Sequence, residues 1–382
     1  MQKIHDAIIC GGGPAGSSAA LSLARRGLDV LVLDRARFPR KKLCGGLLTW
    51  KSVRLLENHF NETMDSLADA GAVNFASDRY AIRTLTDNLA EGPLPFPFHF
   101  VDRTVFDDRL LQRAVEAGAG VAQETQVVGC DPDTGTVTCA DGRTFRGRYV
   151  IGADGANSRV RSSFPSVERE RMHRFMAAAI EIAIPKHSFP RPVDHPELYV
   201  GFLDAGYGWV FPNRDKVVVG LCGLRSKNSR FPDLFKKFLG ALKISPDAVP
   251  DWRGHPLPYG NYLHDPVFGR ALLAGDAGGF VEPLFGEGIF FALCTGLYAG
   301  EAVAKGVETG TSPGPPYARR LHRHIIPELR ASDRLRWALF RSMQWVGPRG
   351  LGWFATWLNT PLAEMVHGMR SYSWLRKKQW DF

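Results

Sequence analysis

The sequence predicts an α/β fold: a doubly wound, Rossmann-type domain with an inserted β-sheet domain and a helical C-terminal region. Three observations predict it. Residues 4–34 have the pattern of a strand, a glycine turn, a helix and a second strand, which opens such a sheet. Residues 170–225 are rich in strand-forming side chains. Residues 331–382 have helical character and contain six of the nine tryptophans.

The composition is that of a folded protein with an affinity for anionic partners. Hydrophobic residues make up 45% of the 382 residues and charged residues 23%, which excludes a largely disordered chain. The net charge is +9, and residues 331–382 contain eight Lys and Arg against three Asp and Glu. This excess favours an acidic lipid surface, a nucleic acid or a phosphorylated substrate. No nucleic-acid-binding module is recognisable, which argues against nucleic acid.

Cysteine spacing and hydropathy restrict the site chemistry and the location. The six cysteines are scattered and none forms a C-x-x-C pair, so we expect no metal site and reduced thiols. No run of about 18 uncharged apolar residues occurs, so no membrane-spanning helix is expected. The polar lead at residues 1–3 does not resemble a signal peptide. We therefore expect a cytoplasmic protein.

A glycine turn at residues 11–16 fits the G-x-G-x-x-G pattern of dinucleotide-binding sites. Gly11 permits the tight turn, Gly13 lets the backbone approach a pyrophosphate, and Gly16 lets helix and strand pack closely. The phosphates would lie at the helix N-terminus. Asp34 ends the second strand 18 residues after Gly16, where its carboxylate can bind ribose hydroxyls. With strand, helix and acid in place, the pattern predicts a dinucleotide site.

Two further glycine-rich segments follow predicted strands. Residues 152–155 are Gly-Ala-Asp-Gly, and their acid is Asp154. Residues 275–279 are Gly-Asp-Ala-Gly-Gly, with Asp276 in position to bind a ribityl hydroxyl. A helix begins near Gly288, and its N-terminus can stabilise negative charge on a reduced flavin. Taken alone, each segment is also compatible with an ordinary turn or strand–helix junction.

In this order, the three segments resemble those of FAD-dependent oxidoreductases of the aromatic-hydroxylase type. Arg103, Phe106, Asp107 and Leu110 match the R-x-x-F-D-x-x-L helix of that superfamily. The resemblance covers residues 1–310 and implies one noncovalently bound FAD. The cofactor contacts that it implies are Gly11, Gly13, Gly16, Asp34, Arg35, Cys44, Gly45, Arg103, Val127, Asp154, Gly275, Asp276, Gly286, Gly288 and Ile289.

Two other segments indicate one branch of that superfamily. Residues 39–46 are Pro-Arg-Lys-Lys-Leu-Cys-Gly-Gly, and residues 207–212 are Tyr-Gly-Trp-Val-Phe-Pro. They resemble the P-R-x-K-x-C-G-G loop and the Y-x-W-x-F-P strand of the geranylgeranyl reductase family. The His and Asn that hydroxylases usually have at the positions of Gly279 and Phe290 are absent. This resemblance implies reduction of carbon–carbon double bonds in an isoprenoid chain on a lipid, quinone or polyprenol.

The same two segments contain the candidate catalytic and substrate-binding residues. Tyr207 and Trp209 share one face of a strand and Phe211 continues it, which predicts an aromatic wall for an isoprenoid chain. Plain core packing is the alternative. Cys44 would pass beside the flavin, where it tunes the cofactor or supplies a proton, or is a thiol that merely fits. Cys44 and Tyr207 are thus the candidate proton donors. NAD(P)H, ferredoxin and a reduced quinone are all compatible electron donors.

The tail, residues 311–382, combines Trp with Lys and Arg on predicted helices, which is typical of a membrane-interface element. It predicts peripheral association with the inner face of the cell membrane. In the alternative, these tryptophans cap the substrate domain as ordinary core.

The predicted domains are discontinuous. They are the FAD-binding domain at residues 1–75, 101–165 and 266–310, the substrate-binding β-sheet domain at 76–100 and 166–265, and the tail. Residues 51–72 are predicted to be helical, and the Ser/Pro/Gly-rich residues 309–316 to be a linker.

Three other functions fit parts of this pattern. A FAD-dependent monooxygenase or halogenase would share the motifs of the superfamily. An electron-transfer flavoprotein–quinone oxidoreductase would, in its usual form, need a cluster-binding set of cysteines that this chain lacks. A flavin-binding, membrane-associated scaffold without catalysis would turn over no prenyl substrate.

Overall fold

Two β-sheets form the framework of the computed structural model, which describes residues 3–165, 174–228, 230–246, 252–347, 359–373 and 376–382. The first sheet is mainly parallel and the second mainly antiparallel. The predicted α/β fold class is confirmed. Three tryptophans of the tail, Trp353, Trp357 and Trp374, lie outside the described residues.

The first sheet brings the three glycine-rich segments to one edge. Its strands are β1 (Ile4–Cys10), β2 (Val30–Leu33), β6 (Gly120–Ala122), β7 (Val127–Asp131), β8 (Thr136–Cys139), β9 (Thr144–Gly152), β15 (Val267–Phe268) and β16 (Ala271–Leu273). The order is β15-β16-β9-β1-β2-β6, and β8 and β7 extend the sheet from β9. β16, β9, β1, β2 and β6 are parallel. Their carboxyl ends therefore share the edge at which a ligand binds in such sheets.

The second sheet places side chains from distant segments on one face. Its strands are β3 (Leu47–Leu48), β4 (Val73–Arg83), β5 (Asn88–Val101), β10 (Met176–Pro185), β11 (Glu197–Tyr199), β12 (Gly206–Pro212), β13 (Lys216–Leu224) and β14 (Arg253–Pro258). The order is β14-β10-β13-β12-β11-β4-β5-β3. Gly220 of β13 is the register partner of Glu181 on one side and of Trp209 on the other. These three residues lie side by side across neighbouring strands, and so share a face.

Helices cover the first sheet and form most of the tail. They are α1 (Pro14–Ala24), α2 (Trp50–Leu55), α3 (Met64–Asp69), α4 (Arg103–Glu116), α5 (Phe231–Ala241), α6 (Ile289–Thr309), α7 (Gly314–Arg320), α8 (Ile326–Val346) and α9 (Asn359–His367). Five-residue π-helical turns lie at Leu56–Phe60 and Leu321–Ile325. Short 3₁₀ turns lie at Arg161–Ser163, Lys186–Ser188 and Gly275–Gly278.

Helices α1 and α6 are in backbone contact. A Cβ atom on Gly296 of α6 would lie 2.1 Å from the carbonyl oxygen of Ala15, and one on Gly300 would lie 2.8 Å from that of Ala19. Real Cβ atoms essentially never approach a backbone atom so closely. Glycine at these two positions therefore permits the packing that joins α6 to the helix after the glycine turn.

Two local predictions need correction. Residues 51–72 are not one helix, because Asn61 adopts a left-handed φ of 55° and ends the first helical segment. A new helix, α3, begins after Thr63, whose side chain caps it. The predicted linker at 309–316 is shorter than expected, because α7 begins at Gly314 with prolines in its first turn.

The tail tryptophans are partly core and partly surface. Trp337 packs in the cluster around Tyr259, and the Trp380 ring lies 4.6 Å from that of Phe290. Trp345, at the end of α8, is 89% exposed. Among the described residues, no helix is both long enough and apolar enough to cross a membrane.

Candidate functional site

The glycine turn between β1 and α1 forms one end of the candidate site. A Cβ atom on Gly16 would lie 1.8 Å from the carbonyl oxygen of Gly11, so packing requires this glycine. A Cβ atom on Gly13 would have only one neighbour within 4 Å, Arg40 Nη2 at 3.4 Å. A side chain is therefore excluded at Gly16, whereas Gly13 borders open space.

Asp34 closes the turn from the end of β2. Its carboxylate accepts hydrogen bonds from the backbone N–H groups of Gly12 at 2.7 Å and Ala36 at 2.8 Å. The next residue, Arg35, is exposed. Val127 at the start of β7 is half-buried against the core under this edge. The structure thus places these predicted cofactor residues around one edge, with Arg35 pointing to solvent.

Two arginines are held beside the turn by a buried carboxylate. Asp107 is fully buried and accepts from Arg103 Nε at 2.7 Å and Nη2 at 2.9 Å. Arg40 Nη2 lies 3.2 Å from the same carboxylate. The sequence indicated Asp107 only as a motif position, whereas the structure shows that it orients both guanidinium groups.

Asp154 follows β9 and has one carboxylate oxygen without a partner. Its Oδ2 accepts from the backbone N–H groups of Arg159 at 2.7 Å and Val160 at 3.3 Å. Its Oδ1 is buried and makes no hydrogen bond within the described residues. Burial raises the pKa of Asp154 above its ordinary value.

Asp276 faces the beginning of α6. It lies in the turn Gly275–Gly278, and a Cβ atom on Gly288 would lie 3.7 Å from its Oδ1. Ile289 follows as the first residue of the helix. Burial raises the pKa of Asp276 against the opposing effect of three cations, Lys42, Arg103 and Arg161. The acid and the helix N-terminus of the third motif are therefore adjacent.

The loop at residues 41–46 leads to the second sheet. Cys44 donates its backbone N–H to Glu181 Oε1 at 3.2 Å, and its Sγ accepts from the N–H of Gly46 at 3.4 Å. A Cβ atom on Gly45 would lie 2.8 Å from the ring of Phe211. No side chain fits at this position, so the loop backbone lies directly against an aromatic ring.

Tyr207, Trp209 and Phe211 form the predicted row of rings. The ring centroids are 6.0 Å apart between Tyr207 and Trp209, and 6.2 Å apart between Trp209 and Phe211. The Tyr207 hydroxyl donates to the carbonyl oxygen of Phe285, and Gly286 follows beside it. Burial raises the pKa of Tyr207 well above its ordinary value. The hydroxyl is therefore a weak acid that ties the aromatic wall to the segment before α6.

A cavity of about 300 Å³ lies between this wall and the start of α6. The Cys44–Gly45 loop and residues 286–289 line one end. Aliphatic and aromatic side chains of the second sheet line the remainder, together with side chains from α8 and α9. The tail contributes Leu339, Phe340, Met343, Leu362, Met365 and Val366. The cavity lining is thus mainly aliphatic and aromatic, with a few polar side chains among it.

Two polar residues of this cavity were not predicted from the sequence. Glu181 and His255 both line it. Lys42 Nζ donates to His255 Nε2 at 2.6 Å, and burial together with this cation lowers the pKa of His255 to about 4. Burial raises the pKa of Glu181 to about 7. The signal for Glu181 was visible, because it is the one acid in the apolar segment 176–185.

A buried ion pair closes the cavity near the tail. Lys51 Nζ lies 2.6 Å from Glu287 Oε2, and the two side chains are 1% and 9% exposed. Lys51 also donates to the carbonyl oxygen of Val366 in α9, at 3.2 Å, and lies 5.9 Å from the Trp380 ring. The pair therefore connects the start of α6 with the tail.

Comparison with known proteins identifies relatives along most of the chain. It is 31% identical over 354 residues to the menaquinone reductase of Mycolicibacterium smegmatis, covering 84% of this chain and 82% of that protein. It is 31% identical over 327 residues to the geranylgeranyl diphosphate reductase of Rhodobacter capsulatus, covering 80% and 76%. The crystal structure of a geranylgeranyl bacteriochlorophyll reductase-like protein from Thermoplasma acidophilum has the same fold, with a TM-score of 0.76 and 21% identity, covering 90% and 88%.

The family model described as the FAD binding domain matches residues 5–311. This range contains all three glycine-rich segments and the Arg103 helix. The cofactor expected from the sequence is therefore confirmed as FAD. The chain is a FAD-dependent oxidoreductase and belongs to the geranylgeranyl reductase family of the aromatic-hydroxylase-type flavoproteins.

Proposed function

We propose that this protein saturates carbon–carbon double bonds of an isoprenoid chain carried by a lipid, quinone or polyprenol. The observation that carries the proposal is the apolar cavity, which ends at the Cys44–Gly45 loop and the first residues of α6. A prenyl chain is apolar, flexible and long, as such a cavity requires. Relatives named menaquinone reductase and geranylgeranyl diphosphate reductase support the same substrate class.

The residues around the first sheet's edge fit FAD. Gly13 borders open space, Asp154 Oδ1 is buried and makes no hydrogen bond within the described residues, and the Cys44–Gly45 backbone borders the cavity. When bound, FAD supplies the electron pair of the reduction. The residues proposed to hold it are Gly11, Gly13, Gly16, Asp34, Arg35, Cys44, Gly45, Arg103, Val127, Asp154, Gly275, Asp276, Gly286, Gly288 and Ile289.

The aromatic wall of Tyr207, Trp209 and Phe211 binds and orients the prenyl chain in this proposal. Transfer of apolar groups from water into the cavity stabilises the complex by about 0.8 kcal/mol per CH₂, so roughly 4 kcal/mol per five-carbon unit. The tail side chains exclude water from the far end.

An alkene must also receive a proton, and Tyr207 already donates its hydroxyl to Phe285. That bond must break before Tyr207 gives up a proton, whereas the Cys44 thiol lines the cavity and accepts from the N–H of Gly46.

The tail is proposed to bring the cavity to a membrane at the inner face of the cell. Helix α8 lines the cavity through Leu339 and Phe340 and also carries the exposed Trp345. A prenyl chain in the bilayer would then reach the cavity along one helix. Electrons are proposed to come from NAD(P)H or ferredoxin, as the family resemblance implies.

The test is reduction of defined prenyl substrates by the purified holoprotein. The prereduced protein is mixed with geranylgeranyl diphosphate or a menaquinone, and saturated products are measured by mass spectrometry. Trp209→Ala should lose turnover or raise KM while FAD content stays at the parent level. Trp252→Ala, which removes the same ring from a cluster around Phe235, is the matched control. Each truncation costs roughly 3–5 kcal/mol of stability, so melting is compared first.

Two outcomes would contradict the proposal. If a folded Trp209→Ala variant turned over substrate at the parent rate, the aromatic wall would not be part of the substrate site. Oxygen consumption coupled to NAD(P)H, without loss of any double bond, would favour a monooxygenase instead.

A further inference from the structure

Glu181 is an acid on an otherwise apolar cavity wall. Of the two carboxylates that line the cavity among the described residues, Glu287 is paired with Lys51 and accepts from Thr49 Oγ1 at 2.6 Å. Glu181 differs. Within the described part of the chain, its Oε1 accepts the backbone N–H of Cys44 alone, and its Oε2 is covered and makes no hydrogen bond. One oxygen of this carboxyl is therefore committed to the loop and the other is available to a ligand.

A second unpartnered polar atom lies beside it. The Trp209 ring crosses Gly220, since a Cβ atom there would lie 2.2 Å from Trp209 Cζ2. Glu181 is the next residue across the sheet from Gly220. Trp209 Nε1 is buried without a hydrogen bond, 3.7 Å from the position of a Cβ atom on Gly45. Both unpaired atoms thus lie near the Cys44–Gly45 end, where the reaction is proposed to occur.

We infer that Glu181, as a carboxylic acid, gives its proton to the substrate alkene. This inference rests on the proposed function. In the step, the alkene π bond breaks, one carbon gains a hydride from the two-electron reductant, and the other gains the proton. The O–H bond of Glu181 breaks and leaves a carboxylate. A proton from solvent restores the acid before the next turnover, so atoms and charge balance.

The charges around Glu181 suit such a cycle. Among the described side chains, the titratable and charged groups that face it are Lys42 and Cys44 of the loop, Arg103 of α4, Lys216 of β13 and His255 of β14, and its register partner on β14 is Arg253. Burial favours the acid and raises the pKa of Glu181 to about 7, while the loop N–H and the cations favour the carboxylate that remains after transfer. A general acid works best when its pKa lies near the working pH.

The test uses Glu181→Gln, which keeps the shape and removes the proton, and Glu181→Asp, which keeps an acid on a shorter side chain. Glu116→Gln on the exposed end of α4 is the matched control. The prereduced holoprotein is mixed with geranylgeranyl diphosphate, and product formation is followed in a single turnover. Glu181→Gln should be slower by about 10²–10⁴-fold, the usual contribution of a general acid, with unchanged substrate binding and FAD content. Glu181→Asp should recover part of the rate.

The pH profile of the rate and an infrared measurement would not change if Glu181 had only a structural role. The parent rate should be highest below pH 7 and fall as pH rises through the pKa of about 7, and Glu181→Gln should lose this fall. In the resting holoprotein, the carbonyl band of a protonated carboxyl should titrate near pH 7. This band should lose the contribution of one carboxyl in Glu181→Gln and keep it in Glu116→Gln, while Glu282, whose pKa burial also raises to about 7, keeps its own contribution in both variants.

The outcomes separate this inference from the proposed function. If the parent reduces prenyl substrates and Glu181→Gln matches its rate and pH profile, the proton transfer is wrong and the proposed function stands. If the parent reduces no prenyl substrate, the proposed function and the proton transfer both fail. Loss of the rate together with loss of the Glu181 contribution to the infrared band supports the inference.

Discussion

The glycine turn and the cavity follow opposite structural rules. Around the turn, backbone atoms are in close contact and Asp34 and Asp107 have full sets of partners. In the cavity, Trp209 Nε1 and Glu181 Oε2 are covered without partners. Such atoms cost about 1–3 kcal/mol each when no ligand satisfies them. The first region thus has a closely packed backbone, whereas the second retains unfavourable polar groups, which we propose to act in the reaction.

The largest effect should come from the turn itself, where two glycines permit a matched pair of variants. Gly16→Val should prevent folding, at a cost above about 4 kcal/mol, since its Cβ would overlap the carbonyl oxygen of Gly11. Gly13→Val should fold, because only the end of Arg40 lies near its Cβ, but should not bind FAD. Circular dichroism, thermal unfolding and flavin absorbance measure both effects.

Either variant can contradict this description of the glycine turn. A Gly13→Val protein with full flavin content would contradict the assignment of this open position to the pyrophosphate. A Gly16→Val protein that melts like the parent would show that the turn is not as rigid as its contacts indicate.

The next largest effect should come from the ion pair that connects the start of α6 with the tail. Lys51→Met removes one partner of a buried pair and should cost about 3–5 kcal/mol in urea unfolding, because Glu287 is left charged and uncompensated. The double variant Lys51→Met/Glu287→Gln should recover much of this loss. Equal stability of the single and double variants would mean that the hydrogen bond to Val366, and not the pair, holds the tail.

The smallest effect should be at the surface of the tail. Trp345→Ala should change stability by no more than about 0.5 kcal/mol, since the ring is exposed. Its affinity for anionic vesicles should fall about tenfold, for a loss of roughly 1–2 kcal/mol of apolar transfer. Added salt should weaken binding of the parent further by screening the basic residues.

The matched control is Val128→Ala, an exposed apolar residue of β7 in the first sheet. Vesicle co-sedimentation with neutral and anionic lipid compares the three proteins. If the parent and Trp345→Ala bound vesicles equally, Trp345 would not contribute to membrane association, and any membrane-binding surface would lie elsewhere on the protein.

The same contrast explains what could be predicted from sequence. The glycine turn and Asp34 directly follow a strand, and Asp154 and Asp276 lie within three residues of a strand end, so local spacing was sufficient. The parallel register then brings those ends together without further information. The sequence therefore predicts the position of residues that depend on one strand and the turn next to it.

The position of Glu181 shows why the remaining site residues could not be predicted from the sequence. Its contact with Cys44 spans 137 residues, and no local pattern indicates that β10 lies beside that loop. The break at Asn61 was missed because helix-forming residues flank a single left-handed position. For the tail, composition was compatible with both surface and core, and the structure has Trp345 exposed and Trp337 packed.

The backbone contact between α1 and α6 has a mechanical consequence. Gly296 and Gly300 leave no layer of side chains that could slide or reorient between the two helices. We therefore expect the glycine turn at the start of α1 and residues 286–288 before α6 to move together. Under the proposed function, we expect a hinge that admits a prenyl chain where α8 and α9 line the cavity. The rate of substrate entry is then expected to depend on the tail and not on the cofactor side.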